Sequence, residues 1–330
     1  MKIAVVILNW NGKSLLEKFL PSVVRYSPEA VIYVADNASA DTSVEFVKTA
    51  YPSIKIIRNK GNFGFAKGYN DALQFVEEDI YALVNSDIEV TENWLQPVMA
   101  TFETENNTAA IQPKILDYKN KTYFEYAGAA GGFIDQYGYP FCRGRVFDTV
   151  EKDEGQYNDP MKIFWASGAC FFIRKDVYRT LGGFDDTFFA HQEEIDLCWR
   201  IFNKGYAIEY VPKSTVFHVG GATLQQGSPR KTFLNFRNSL LMLTKNLPKK
   251  KLYIILFLRL ILDGLAGIQF LSKGKFSHFF AILKAHFSFY GRFNEALRKR
   301  DVSQSGDYYK IESVIKSYYL QGKRTYNDLF

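Results

Sequence analysis

The chain has 330 residues, 47% hydrophobic and 23% charged, which excludes a mini-protein, a fibre and a disordered chain and allows a large α/β domain with additions. Its net charge of +6 hides a division: residues 1–228 carry 22 basic and 29 acidic side chains, residues 229–330 carry 19 and 6. An acidic body with a basic tail argues against a nucleic-acid binder and directs the tail toward an anionic partner such as a phospholipid surface.

In chain order, IAVVILNW is an apolar run of strand length that stops at Asn9 without a small-residue cleavage site, so it reads as a buried strand and not a signal peptide. SLLEKFLPSVVRYS follows with helical spacing, VIYVADNAS is a second strand, TSVEFVKTAYP a helix with a proline stop, and IKIIRN a third strand. YNDALQFVEED reads as a helix and IYALVNSDIEV as a fourth strand. Strands alternating with helices predict a mostly parallel sheet covered on both faces, with ligands at the carboxyl ends of the strands. The polar residues collect there: Asn9, Trp10 and Asn11, then Asp36, Asn37 and Ser39, then Asn59 and Asn62, then Asn85, Ser86 and Asp87. Any one of them could be a turn-former or a cap, but the four strand ends together predict one polar crevice.

The first turn is NWNGKS, without GxGxxG, and GxxxxGK[ST] is absent, which argues against dinucleotide enzymes, kinases and ATPases. Cys142, Cys170 and Cys198 are odd in number and lack CxxC spacing, so neither a disulfide framework nor a zinc site is indicated, and a reducing, cytoplasmic setting is expected. Asp87, with Glu89 two residues on, could hold Mg²⁺ or Mn²⁺ beside a diphosphate. Glu193, Glu194 and Asp196 crowd a predicted helix start, where mutual repulsion raises proton affinity as a general base requires, although acidic residues also serve as caps there. His218, before two glycines, could reach a metal or a phosphate.

From residue 229 the character changes. RKTFLNFRNSLLMLTKNLP reads as a basic amphipathic helix, and residues 252–271 have the length of a bilayer span but contain Arg259 and Asp263, four apart on one face. With Lys249, Lys250, Lys251, Lys273 and Lys275 flanking it, a helix lying on the membrane surface is expected.

Taken in order, VVILNWNG, VADNASADTS, RNKGNFGFAKGYNDAL, LVNSDIEV, ASGACFFIRKDVYRTLGGFDDTFF, EEIDLCWR and FHVGGAT resemble the inverting family 2 glycosyltransferases, in particular the bacterial branch that includes rhamnosyltransferases, across residues 1–245. The resemblance implies an α/β domain of the GT-A type, Rossmann-like, over residues 1–228, and a helical, membrane-associating region over 229–330. It implies Asn9, Asn11 and Asp36 at the base and ribose of a nucleotide, with Asn62, Gly64, Phe65, Ala66 and Asn70 lining the same pocket. The DxD-like motif maps to Ser86 and Asp87, with Asp87 as metal ligand; the first acidic position is a serine, and Glu89 is expected to compensate. His218 falls near the metal or diphosphate. The base falls among Glu193, Glu194 and Asp196, with Glu194 favoured. Gly168, Gly182 and Gly183 are expected to shape the acceptor side, with Trp165 and Phe184 as stacking faces for sugar. The implied partners are a nucleotide-diphospho-sugar, dTDP-rhamnose or a UDP-hexose, a lipid-linked saccharide, a divalent cation and the inner face of the plasma membrane. A catalytically inactive nucleotide-sugar-binding scaffold is the alternative. A sugar-1-phosphate nucleotidyltransferase would need a glycine-rich basic loop where NWNGKS stands.

Overall fold

The computed structural model describes residues 1–220, 227–301 and 304–330. At its centre lie β1 (Ile3–Asn9) and β4 (Ile80–Asn85), whose unbroken apolar runs are buried on both faces, as in a parallel sheet covered by helices. β1 pairs in parallel with β4 and with β2 (Val31–Asp36), and β2 with β3 (Lys55–Arg58). Helices α1 (Lys13–Tyr26), α2 (Ser43–Ala50) and α3 (Gly64–Ala72) make the crossovers. α3 begins at Gly64, five residues before the expected Tyr69, because its start is capped from elsewhere. The Asn62 side chain accepts from the Gly64 amide at 3.1 Å, and the Phe189 carbonyl accepts from the Phe65 amide at 2.7 Å.

The expected fourth strand is two strands. A turn at Ser86–Asp87 ends β4, and β5 (Ile88–Val90) leaves to pair antiparallel with β13 (Ala207–His218). α4 (Gln96–Thr104) and β6 (Thr108–Asp117) follow, then a small antiparallel sheet of β7 (Gly132–Ile134), β8 (Pro140–Cys142), β9 (Arg145–Val146) and β10 (Thr149–Val150). β11 (Met161–Ile163) lies at one edge of the main sheet, and β12 (Cys170–Arg174) inserts antiparallel to both β4 and β6. The main sheet runs β11-β13-β6-β12-β4-β1-β2-β3, with β5 beside β13, so it is parallel among β1 to β4 and mixed beyond them. α5 (Lys175–Thr180) and α6 (Glu193–Asn203) pack between β12 and β13 in sequence.

The C-terminal region is three helices, α7 (Pro229–Asn246), α8 (Lys249–Ser272) and α9 (Phe276–Arg298), and a returning segment. α7 is not a surface amphipath: Leu234 and residues 237–246 are buried between α6 and α9. Tyr326 packs on Phe133 and Phe141, Tyr308 lies 4.8 Å from Trp199, and the Val314 amide donates to Asp135 at 3.0 Å. One core therefore runs through both parts of the chain, and the change of sequence character near residue 228 does not separate two packing units. α8 is long and apolar enough to cross a bilayer by length and composition, but Arg259 and Asp263 face protein and are 3% and 1% exposed. Its other side presents Tyr253, Ile254, Phe257, Ile261, Leu265 and Ile268 to solvent, and α9 adds Phe280, Phe287 and Tyr290.

Candidate active site

The strand ends open on a cleft of about 1210 Å³. Asn9, Trp10 and Asn11 after β1, Asn37 after β2, Asn62, Gly64 and Phe65 at the start of α3, and Asn85, Ser86 and Asp87 after β4 line it. Asn9 is fully buried, and its Nδ2 donates to Asp36 Oδ1 (3.1 Å), Ser39 Oγ (3.1 Å) and Ser43 Oγ (2.9 Å), while its Oδ1 has no hydrogen-bond partner among the described residues. Asn11 adopts a left-handed backbone and accepts from the Ala40 amide at 2.7 Å, which fixes the loop after β2. Gly64 cannot carry a side chain: its φ is +88°, and a Cβ would lie 2.4 Å from the Phe189 carbonyl.

Asp87, in the turn between β4 and β5, faces His218 at the end of β13. The His218 Nε2 lies 3.2 Å from Asp87 Oδ1, and its Nδ1 lies 3.3 Å from Glu125 Oε2. Burial opposes charge on this imidazole, but the two carboxylates outweigh burial and push its pKa up to about 10. Among the described residues no group of three or more acidic, histidine or cysteine side chains is arranged to hold a metal ion. Asp87 and His218 nevertheless supply one oxygen and one nitrogen on the cleft wall, with the Glu125 carboxylate 3.3 Å from the other ring nitrogen, near it but not in hydrogen-bond geometry. The donor set fits a divalent cation completed by diphosphate oxygens. The rest of FHVGGAT, residues 221–223, lies outside the described residues.

Glu193 and Glu194 stand at the first turn of α6 on the same cleft, each with one carboxylate oxygen buried and without a hydrogen-bond partner among the described residues. Burial raises Glu194 to about 7 against the pull of amides at the helix start. Burial also raises Glu193 well above the ordinary range, with Glu194 and Asp196 adding to the effect. The approach to these carboxylates is contorted: Phe189, His191 and Gln192 all have φ between +67° and +73°. α7 holds the contortion in place. Asn238 Nδ2 donates to the carbonyls of Phe188 (3.0 Å), Ala190 (2.9 Å) and His191 (2.7 Å), and Arg237 Nη2 donates to those of Thr187 and Phe188.

Gly168 and Trp165 also line the cleft, the indole N–H donating to the Phe133 carbonyl at 2.9 Å. Other expected residues stand behind the wall. Asp196 is fully buried between Arg200 (3.0 Å), Lys245 (2.8 Å) and Asn246 (2.8 Å), so it is a structural ion-pair partner and not a base. Glu89 pairs with Lys121 and does not line the cleft with Asp87. Asn70 accepts from the Phe184 amide and Tyr178 hydroxyl and donates to the Phe184 carbonyl, locking α3 to the loop after α5. Phe184 is 2% exposed among Phe65, Tyr69 and Tyr178, which removes it as a sugar-stacking face. Asp36 and Ala66 are buried behind the lining, and Gly182 and Gly183 form a turn away from it.

Sequence reasoning missed several groups. Glu125, Tyr126 and Arg145 come from a segment with no periodic pattern, and Arg230 and Lys231 from the start of α7. His191, one position before Gln192, is lowered to about 4 by burial and by the charge of Lys231.

Residues 4–182 match the family model described as glycosyl transferase family 2. The N-acetylglucosaminyl-diphospho-decaprenol L-rhamnosyltransferase of Mycobacterium tuberculosis is 23% identical over 229 residues, 65% of this chain and 75% of that protein. Polypeptide N-acetylgalactosaminyltransferase 4 of Caenorhabditis elegans is 26% identical over 66% of this chain but only 38% of its own length. Among solved structures, GalNAc-T7 with UDP, GalNAc and Mn²⁺ superposes with a TM-score of 0.60 at 19% identity, covering 76% of this chain and 49% of that one. The mannosyltransferase PcManGT of Pyrobaculum calidifontis, in complex with GDP-Man and Mn²⁺, gives 0.52 at 13% identity, covering 88% and 74%. These neighbours share the mixed α/β GT-A fold, and with more than half the chain matched by the family model, the protein belongs to glycosyl transferase family 2 and is a glycosyltransferase.

Proposed function

We propose that this enzyme moves a sugar from a nucleoside-diphosphate donor, dTDP-rhamnose or a UDP-hexose, to a saccharide on a lipid carrier in bacterial surface polysaccharide synthesis (O-antigen, capsule or exopolysaccharide). It works in the cytoplasm, lying peripherally on the inner face of the plasma membrane. The observation that carries the reading is that Glu194, with a pKa near neutrality, and the Asp87–His218 pair line one cleft. The lipid-linked acceptor is supported by the name of the mycobacterial relative and by the apolar outer face of α8 and α9.

The mechanism follows from the residues. The base region of the nucleotide meets the loops braced by Asn9 and Asn11, and Ser86 and Asp87 meet the diphosphate. Asp87 and His218 are the groups that would hold Mg²⁺ or Mn²⁺, whose charge when bound offsets that of the leaving diphosphate. Glu194 accepts the proton of the acceptor hydroxyl as its oxygen forms a bond to the anomeric carbon. The bond from that carbon to the diphosphate oxygen breaks, the nucleoside diphosphate leaves with the electron pair, and the anomeric configuration inverts.

The test is calorimetric titration of the purified chain with dTDP and UDP, each with and without Mn²⁺, followed by product analysis with the sugar donors of whichever nucleotide binds. Metal-enhanced binding that is lost in Asp87→Ala supports the reading. A folded protein that binds neither nucleotide overturns these donors and points to a different one, such as a GDP-sugar; nucleotide binding without any sugar transfer favours the inactive scaffold.

A further inference from the structure

The cleft extends beyond the two glutamates to a region bounded by the small sheet and α8, and two arginines line it there. Arg145, on β9, is 7% exposed; its Nε donates to the Tyr126 carbonyl at 3.0 Å, and its guanidinium lies 4.6 Å from the Tyr126 ring centre. Among the described residues no carboxylate lies within ion-pair distance of it, whereas Arg143, two residues earlier, pairs with Asp159 at 2.5 Å. Arg259, on α8, is 3% exposed, donates to the Tyr137 carbonyl at 2.8 Å and stacks on the Tyr139 ring at 3.9 Å. Its buried Nε has no hydrogen-bond partner among the described residues. The carboxylate nearest to it, Asp263, is 3.9 Å away and lies closer to His286, at 3.1 Å. A buried guanidinium without a full counter-charge is costly unless an anion completes it. Planar guanidinium forks suit phosphate oxygens.

The mouth of this region adds a second requirement. Leu265 of α8 lines the cleft and is also 57% exposed, so the opening is continuous with the apolar outer face that Ile261 and Ile268 extend. A ligand that satisfies both ends is anionic inside and hydrocarbon at the rim.

We infer that Arg145 and Arg259 form a subsite for the phosphate or diphosphate of a lipid-linked acceptor, whose chain leaves the cleft over Leu265 along α8. This rests on the transferase reading above and deepens it. The subsite orients the acceptor so that the saccharide reaches Glu194 while the lipid remains in the membrane surface. It is distinct from the donor pocket at the strand ends.

The experiment measures binding of farnesyl diphosphate to the full chain in EDTA, with UDP or dTDP at saturation, against farnesol and inorganic pyrophosphate. The expected result is that farnesyl diphosphate binds roughly tenfold or more tightly than farnesol. Arg145→Gln and, independently, Arg259→Gln each remove most of that difference, with nucleotide affinity unchanged and folding verified by thermal melting. Equal binding of farnesol, displacement of farnesyl diphosphate by nucleotide, or indifference to the Arg259 substitution overturns the subsite. Pyrophosphate binding as tightly as farnesyl diphosphate, with the same arginine dependence, overturns the lipid source and assigns a free diphosphate instead. Nucleotide release from a panel of sugar donors is measured separately on the unaltered protein. Absence of release overturns the transferase reading even where arginine-dependent binding stands.

Discussion

Glu194 takes its properties from where α6 begins. Its folded-state pKa of about 7, against an ordinary 4.5, predicts that kcat/KM rises with pH and levels off above about 7. The same shift fixes the sign of its effect on stability. The folded protein holds this proton more tightly than the unfolded chain, so the stabilisation is fully present below pH 4.5 and is lost as pH rises through 7. Glu194→Gln is therefore expected to slow transfer by about 10²-fold or more with nucleotide affinity retained. Its melting temperature relative to the unaltered protein should improve between pH 5 and pH 8, as differential scanning calorimetry would register. Asp196 tests the opposite expectation. Asp196→Ala leaves Lys245 and Arg200 short of a partner in a buried network and should cost roughly 3–5 kcal/mol in urea denaturation. The sequence places Asp196 beside Glu194, but two positions along a helix turn the side chain through about 200°, to the far face. Glu89 is misleading for a related reason: the turn at Ser86–Asp87 breaks the alternation that would align it with Asp87, and Lys121 takes it up. That Asn9, Asn11, Asn62, Ser86 and Asp87 line one cleft was legible because a parallel strand ends in a polar turn at the ligand side.

At the level of elements, the segment Asp185–Gln192 has one short turn of its own, closed by the Phe188 amide on the Asp185 carbonyl, and otherwise depends on its neighbours. The α3 amides meet the Phe189 carbonyl from one side, and the Arg237–Asn238 pair of α7 meets the adjacent carbonyls from the other. Asn238→Ala removes three hydrogen bonds to carbonyls that precede Glu193 and Glu194. The expected outcome is a kcat lowered by about tenfold with the nucleotide dissociation constant unchanged, since no nucleotide contact is touched. A fall in nucleotide affinity instead would mean that α7 acts on the donor pocket. None of this was visible in the α7 sequence, whose lysines and arginines read as a surface stripe. The helix is buried because Lys245 and Arg237 find partners inside, Asp185 and Asp196 for the first and backbone carbonyls for the second. The alternation of strands and helices in the first ninety residues was readable from periodicity, whereas β12 was not, because an antiparallel insertion leaves no mark on a short apolar run.

At the scale of the whole molecule, the exposed apolar residues of α8 and α9 and the buried residues of the returning segment are different sets, so the proposed membrane contact and stability can be tested by separate substitutions. Phe280→Ser with Phe287→Ser should lower co-sedimentation with anionic vesicles by at least about tenfold while leaving the melting temperature unchanged. Tyr326→Ala should do the reverse, because its ring fills space between Phe133 and Phe141. Deleting everything after residue 245 would confuse the two, since it removes Tyr308, Tyr318, Tyr326 and Leu329 from the common core. That shared core also constrains the order of events during synthesis. The small sheet around Asp135 waits for Val314 and Ile311, nearly 180 residues downstream, to bond its backbone and side chain. Until the ribosome has released those residues, α8 and α9 are out ahead of the segment that completes the fold. On the membrane reading proposed above, the nascent chain would meet a lipid surface before it is a finished enzyme.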